Sequence, residues 1–138
     1  MMERVFLDTN ILLDVLEKRD PHVLAAANIF QLGLSGEVRL FASSLSFINC
    51  IFSGRKALDY DSIVEKVKLL RSFISVSPMT EVELDLALDE FTRDVEDCLQ
   101  YYSALSARCD CIVTRDSKHF PKTGIPILSP NEFLDTMK

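Results

Sequence analysis

The chain has 138 residues, 48% of them hydrophobic and 26% charged, a balance that builds a globular domain with a substantial core and excludes intrinsic disorder. Its formal charge of −6 argues against strong non-specific nucleic-acid binding through overall field, although it leaves room for a local basic rim. No uncharged apolar run is long enough to span a bilayer, and Asp8 interrupts the N-terminus before a signal peptide can develop, so a soluble, cytoplasmic protein without membrane association is expected.

Short apolar runs alternate with amphipathic segments, which predicts an α/β domain with strands near 4–7, 38–42, 73–77, 111–114 and 125–128. The first strand runs into Asp8, and 10–19 reads as a helix that Asn10 can cap, ending before Asp20-Pro21. A second helix is predicted from about Pro21 to Leu34, stopped by Gly33 and Gly36. Between 44 and 56, Leu45, Ile48 and Phe52 recur at helical spacing, and the phenylalanines of 41–52 read as core packing rather than as a stacking platform for bases. Helices follow near 60–72 and 81–91, the second opened by Thr80-Glu81-Val82-Glu83 at capping-box spacing. The helix near 94–108 carries Val95, Leu99, Tyr102 and Leu105 on its apolar side. The last begins at Ser129-Pro130-Asn131-Glu132, with Ser as cap and Pro in the first turn. Strands interleaved with helices make one mostly parallel, doubly wound sheet spanning 1–138 as one domain.

Two of these strands end on an acid. Val5-Phe6-Leu7 leads into Asp8, and Ile112-Val113 leads through Thr114 and Arg115 to Asp116. In an open α/β sheet, ligands gather beyond the carboxyl ends of the strands, so acids at two parallel strand ends share one edge. Carboxylates held about 5 Å apart at an effective dielectric of about 20 repel by roughly 3 kcal/mol, and a hard divalent cation relieves that repulsion. The pattern outlines a magnesium site.

Each member has a structural alternative. Asp8 could be a helix cap, but Asn10 caps equally well and leaves Asp8 spare. Asp97 could be first-turn decoration of a helix capped by Asp94, together with Glu96. Against that, Tyr101 and Ala104 lie four and seven residues on, a face with little charge. Asp94, one turn earlier, is a weaker candidate for a supporting or second-metal role. Asp116 could be a turn former before Ser117-Lys118, while Thr114 can bond a carboxylate or phosphate and Arg115 can contact phosphate or simply be exposed. Asn49 faces inward or to a rim, with Asp8, a metal-bound water or backbone as its candidate partners. Arg55, Lys56, Arg115, Lys118, His119 and Lys122 could form a basic rim or be ordinary solvated cations. The cysteines Cys50, Cys98, Cys109 and Cys111 make no C-x-x-C pair and read as small buried hydrophobes in a reducing compartment. Neither a phosphate-binding glycine loop nor a G-x-S-x-G elbow is present.

Taken together, the stretches Val5-Phe6-Leu7-Asp8-Thr9-Asn10-Ile11-Leu12-Leu13-Asp14, Ser43-Ser44-Leu45-Ser46-Phe47-Ile48-Asn49, Asp94-Val95-Glu96-Asp97-Cys98-Leu99-Gln100 and Ile112-Val113-Thr114-Arg115-Asp116-Ser117-Lys118 resemble the PIN-domain nuclease family. The resemblance implies a three-layer α/β/α fold around a mostly parallel sheet of about five strands, and Mg2+- or Mn2+-dependent cleavage of single-stranded RNA to 5′-phosphate and 3′-hydroxyl products. It maps Asp8, Asp97 and Asp116 onto three of the family's usual four acids, as metal ligands and catalytic residues. The fourth, normally a glutamate in the helix after the second strand, falls on Asn49, which removes one negative charge. Thr114, Arg115 and Asn10 become candidate substrate contacts. Small members of the family are often VapC-like toxins, which implies a small antitoxin partner that inserts a peptide into the acidic groove. Many such domains form homodimers, to which Leu12, Leu13 and Leu16 could contribute, although core packing explains these residues as well.

Two other readings compete. With Asn49 in place of an acid, the domain could be a catalytically weakened RNA-binding or protein-interaction module. A phosphoryl-transfer enzyme using Asp8 as nucleophile fits less well, because Asn10 stands where a dehalogenase-type site wants a second Asp.

Overall fold

The alternation Val5, Phe6, Leu7 sends successive side chains to opposite faces of the first strand, and both faces are buried. The structure, a computed structural model, describes residues 3–90, 94–118, 120–121 and 124–138. Its strands β1 (Glu3–Leu7), β2 (Val38–Ser43), β3 (Ile74–Ser77), β4 (Cys111–Val113) and β5 (Ile127–Leu128) pair in the order β3-β2-β1-β4-β5, all parallel.

The helices are α1 (Thr9–Leu16), α2 (Val23–Leu34), α3 (Ser44–Gly54), α4 (Tyr60–Arg71), α5 (Glu81–Glu90), α6 (Val95–Ser106) and α7 (Pro130–Thr136). Val5, Leu7, Leu40 and Val113 share one core with Ile11 of α1, Ile29 of α2, Phe47 of α3, Val67 of α4 and Phe133 of α7. Phe6, Phe41 and Ile112, from the other face, pack on Tyr101 and Ala104 of α6. Helices therefore cover both faces of the sheet, the three-layer α/β/α arrangement expected. In α2, Gly33 lets the helix lie close on β2, since a Cβ there would meet Leu40 Cδ1 at 2.3 Å. No helix among the described residues is long and apolar enough to cross a membrane.

Several local expectations are corrected. Asp8, not Asn10, caps α1: its extended backbone and Oδ1, which accepts the Thr9 N–H at 2.8 Å, make it the cap. The helix ends at Leu16 instead of reaching 19. Gly33 lies inside α2, and Gly36, at φ +80°, takes the left-handed conformation after it. The stripe Leu45, Ile48, Phe52 does not face the core; α3 buries Ser46, Phe47, Cys50 and Gly54, while Ile48 and Phe52 are about half exposed. Phe41 and Phe47 are core residues and Phe52 is not. On α6 the fully buried positions are Cys98, Gln100, Tyr101, Ser103 and Ala104, with Tyr102 and Leu105 at the margin.

The capping box at α5 is half formed. Glu83 accepts the Thr80 N–H, but the Thr80 hydroxyl donates to Glu83 as well, at 2.6 Å. Ser106 donates to the other Glu83 oxygen at 2.7 Å, so this buried acid ties α5 to α6. Those hydroxyl donors pull its pKa down to about 2. The four cysteines are buried, as expected, and none is in a disulfide. From β1 the chain moves to β2 and β3 on one side, then returns to β4 and β5 on the other. The crevice beyond the carboxyl ends of β1 and β4 is therefore the switch point of the sheet.

Candidate active site

β1 and β4 end side by side. Their register pairs Leu7 with Val113, and the Asp8 N–H donates to the Val113 carbonyl at 3.0 Å. That places Asp8 beside Thr114, whose buried hydroxyl donates to Asp8 Oδ2 at 2.8 Å and accepts the Asp116 N–H at 3.1 Å. One hydroxyl thus links the acid after β1 to the acid after β4. Asn10 reinforces the link with longer contacts: its Nδ2 lies 3.4 Å from Asp8 Oδ2 and from Thr114 Oγ1, and its Oδ1 accepts the Arg115 N–H at 3.4 Å.

Asp97 arrives from the other layer. Asp94 caps α6 by accepting the Asp97 N–H at 3.1 Å. Burial of Tyr101 and Ala104 against Phe6, Phe41 and Ile112 fixes the helix face that Asp97 heads. Asp97 is half-buried there, within the electrostatic reach of Asp8 and Asp116. The sequence-predicted acids 8, 97 and 116 therefore share one crevice.

The electrostatics are those of an overloaded acidic cluster. Burial pushes the Asp97 carboxyl up to about 7, and the fields of Asp8, Asp94, Asp116 and Glu96 add to it. Burial also raises Asp8, with smaller contributions from Glu96 and Asp116, against the lowering by its Thr114 and Thr9 donors. Each is a carboxylate held where its charge is unfavourable, a state that a cation relieves. The donor set is entirely oxygen, which suits Mg2+ or Mn2+. Among the described residues, no group of three Asp, Glu, His or Cys side chains forms a ready cage for a bare ion. The arrangement fits a hydrated ion, because Mg2+ takes one or two carboxylates and keeps several waters.

Asn49 is half-buried on α3, and its Nδ2 donates to Glu96 Oε1 at 3.2 Å, a partner the sequence reading did not weigh. Arg115 is already engaged: its guanidinium forms a two-point ion pair with the fully buried Asp14, at 2.7 and 3.0 Å. Asp14 was missed because it sits among leucines in an amphipathic helix, although its place in the core side of that helix was a usable signal. Also missed was a hydroxyl–amide network next to Asp8. Thr9 Oγ1 and Ser46 Oγ lie 2.7 Å apart, and the buried Gln100 Nε2 reaches both, at 3.3 and 2.9 Å. Of the proposed basic rim, Lys118 lies two residues after Asp116 and is exposed, and Arg55 lies over the exposed Phe52 ring at 5.3 Å. His119 and Lys122 lie outside the described residues.

A family model described as PIN domain matches residues 4–118. Ribonuclease VapC1 of Aquifex aeolicus (strain VF5) is 25% identical over 138 residues, covering 96% of this chain and 94% of that protein. Among solved structures, a toxin-antitoxin complex from Klebsiella pneumoniae aligns with a TM-score of 0.68 at 18% identity, over 91% of this chain and 97% of that one. VapBC-1 from nontypeable Haemophilus influenzae aligns with a TM-score of 0.68 at 19% identity, over 93% and 98% of the two chains.

Proposed function

This chain belongs to the PIN domain family, and from that membership we propose that it is a metal-dependent endoribonuclease acting on single-stranded RNA, the toxin of a toxin–antitoxin pair. The observation that carries the reading is the convergence of Asp8, Asp97 and Asp116 at the switch-point crevice, with two of the three carboxyls raised in pKa. Likeness to Ribonuclease VapC1 supports the reaction class, and likeness to toxin-antitoxin complexes supports a small antitoxin partner.

Asp8, Asp97 and Asp116 would hold the ion. When bound, Mg2+ or Mn2+ neutralises charge that builds on the phosphoryl oxygens and acidifies a water. Asp8 is buried and takes hydrogen bonds from Thr9 and Thr114, so its task is to be held still and to hold. Asp97 and Asp116 keep access to solvent, so one of them orients the attacking water. Thr114 fixes the separation of Asp8 and Asp116, and Asn10 steadies both Thr114 and the Arg115 backbone.

The test is incubation of the purified protein with a panel of single-stranded RNAs and Mn2+, beside Asp116→Asn. The wild type cuts; the variant does not, yet its metal-free form is at least as stable, because Asp116 is exposed and an amide still accepts the Lys118 N–H. RNA binding without cutting, unaffected by Asp8→Ala, would favour the non-catalytic module instead.

A further inference from the structure

We propose that Glu96 supplies the fourth carboxylate of this site and that the Asn49 amide holds it there. The inference rests on the metal-site reading above and adds a residue to it. Two hydrogen-bonded rungs join α3 to α6. The inner rung is Ser46–Gln100, at 2.9 Å and buried; the outer is Asn49–Glu96, at 3.2 Å. From Ser46 to Asn49 the chain advances one turn along α3, and from Gln100 to Glu96 it retreats one turn along α6, so the two contacts sit in a single antiparallel helix register. Glu96 is therefore held in place by a scaffold whose first rung bonds to Thr9, the neighbour of Asp8.

The chemistry of Asn49 points the same way. A neutral amide adds no charge to a cation site, but its NH2 group can steer a carboxylate that does. Asn49 engages Glu96 Oε1, and Glu96 is close enough for its charge to act on both Asp8 and Asp97. The charge absent from α3 thus reappears on α6, across one hydrogen bond. A separate observation marks the inner rung as a place where a donor belongs: among the described residues, Gln100 Oε1, in a residue 1% exposed, finds no hydrogen-bond partner. Buried acceptors are normally satisfied, and a water of a hydrated ion is a suitable donor. Asn49 is on this view a positioning residue, and Glu96 acts on the ion directly or through its water.

The experiment measures Mn2+ uptake by the metal-free protein, reading free Mn2+ by electron paramagnetic resonance. Glu96→Gln keeps an oxygen for the Asn49 amide and removes only the charge. Its Kd for Mn2+ should rise about tenfold or more. The charge swap Asn49→Glu with Glu96→Gln should return Kd to within about threefold of wild type, a rescue that a purely structural role for Glu96 does not provide. Wild-type affinity in Glu96→Gln overturns the assignment of Glu96 while leaving the site reading intact. A wild-type protein that takes up no Mn2+ overturns both.

Discussion

Asp97 is the residue at which the cost of the cluster is easiest to measure. Its carboxyl ordinarily titrates at 3.8 and in the fold does so at about 7, through burial first and then four neighbouring acids. Between those values the folded chain holds a proton that the unfolded chain has released, so folding stability falls as pH rises through that window. The penalty is fully present above about 7 and absent below 3.8. In metal-free buffer, thermal unfolding of the wild type should therefore shift to lower temperature between about pH 5 and about pH 8 relative to Asp97→Asn, which lacks this titration. Parallel profiles for the two proteins would place Asp97 away from the cluster. The acids themselves were legible in sequence, because a charge that ends an apolar run is costly without a partner. What was not legible is which group meets which. Asp8 and Asn10 are equally good caps by type, and Asp8 wins because its N–H is still bonded to β4, which keeps its backbone extended. The pairing of Asn49 with Glu96 depends on the packing of α3 against α6, which no local pattern encodes.

At the scale of elements, the strands fall where their apolar runs put them, and the capping box of α7 forms as Ser129 and Glu132 predict. The face of α3 was misread for a physical reason. Leu45, Phe47, Ile48, Cys50, Ile51 and Phe52 place apolar side chains around most of the helix, so periodicity cannot select the buried side, and contacts with α1, α4 and β2 decide it. One tie between elements has a measurable consequence. The Arg115–Asp14 pair joins the segment after β4 to α1, and Asp14 is fully buried while Arg115 is 28% exposed. Removing one partner of a buried pair strands the other charge, at about 3–5 kcal/mol. Arg115→Ala should thus destabilise the protein by about 3 kcal/mol, the low end of that range because the pair borders solvent. Urea denaturation measures it. A loss of RNA affinity with stability unchanged would instead make Arg115 a phosphate contact.

For the whole molecule, the sheet order turns acids far apart in sequence into neighbours and concentrates repulsion at one edge of a chain whose formal charge is already −6. A cation seated at that edge would relieve the repulsion. An ion that binds the native state and not the unfolded chain stabilises it by mass action, by about 2.7 kcal/mol at a hundredfold excess over Kd. For a domain of this size each kcal/mol moves the unfolding midpoint by about 3 °C, so saturating Mn2+ should raise it by roughly 8 °C. Asp8→Asn separates site binding from general screening. Its amide oxygen can still cap α1 at the Thr9 N–H, and its NH2, standing where Oδ2 was, can donate to the Thr114 hydroxyl, so the fold is retained while the buried charge is gone. The variant should melt at least as high as metal-free wild type and show little further rise with Mn2+. If Mn2+ raises both proteins equally, the ion acts on surface charge and not in the crevice between β1 and β4, and the acids gathered there need another explanation.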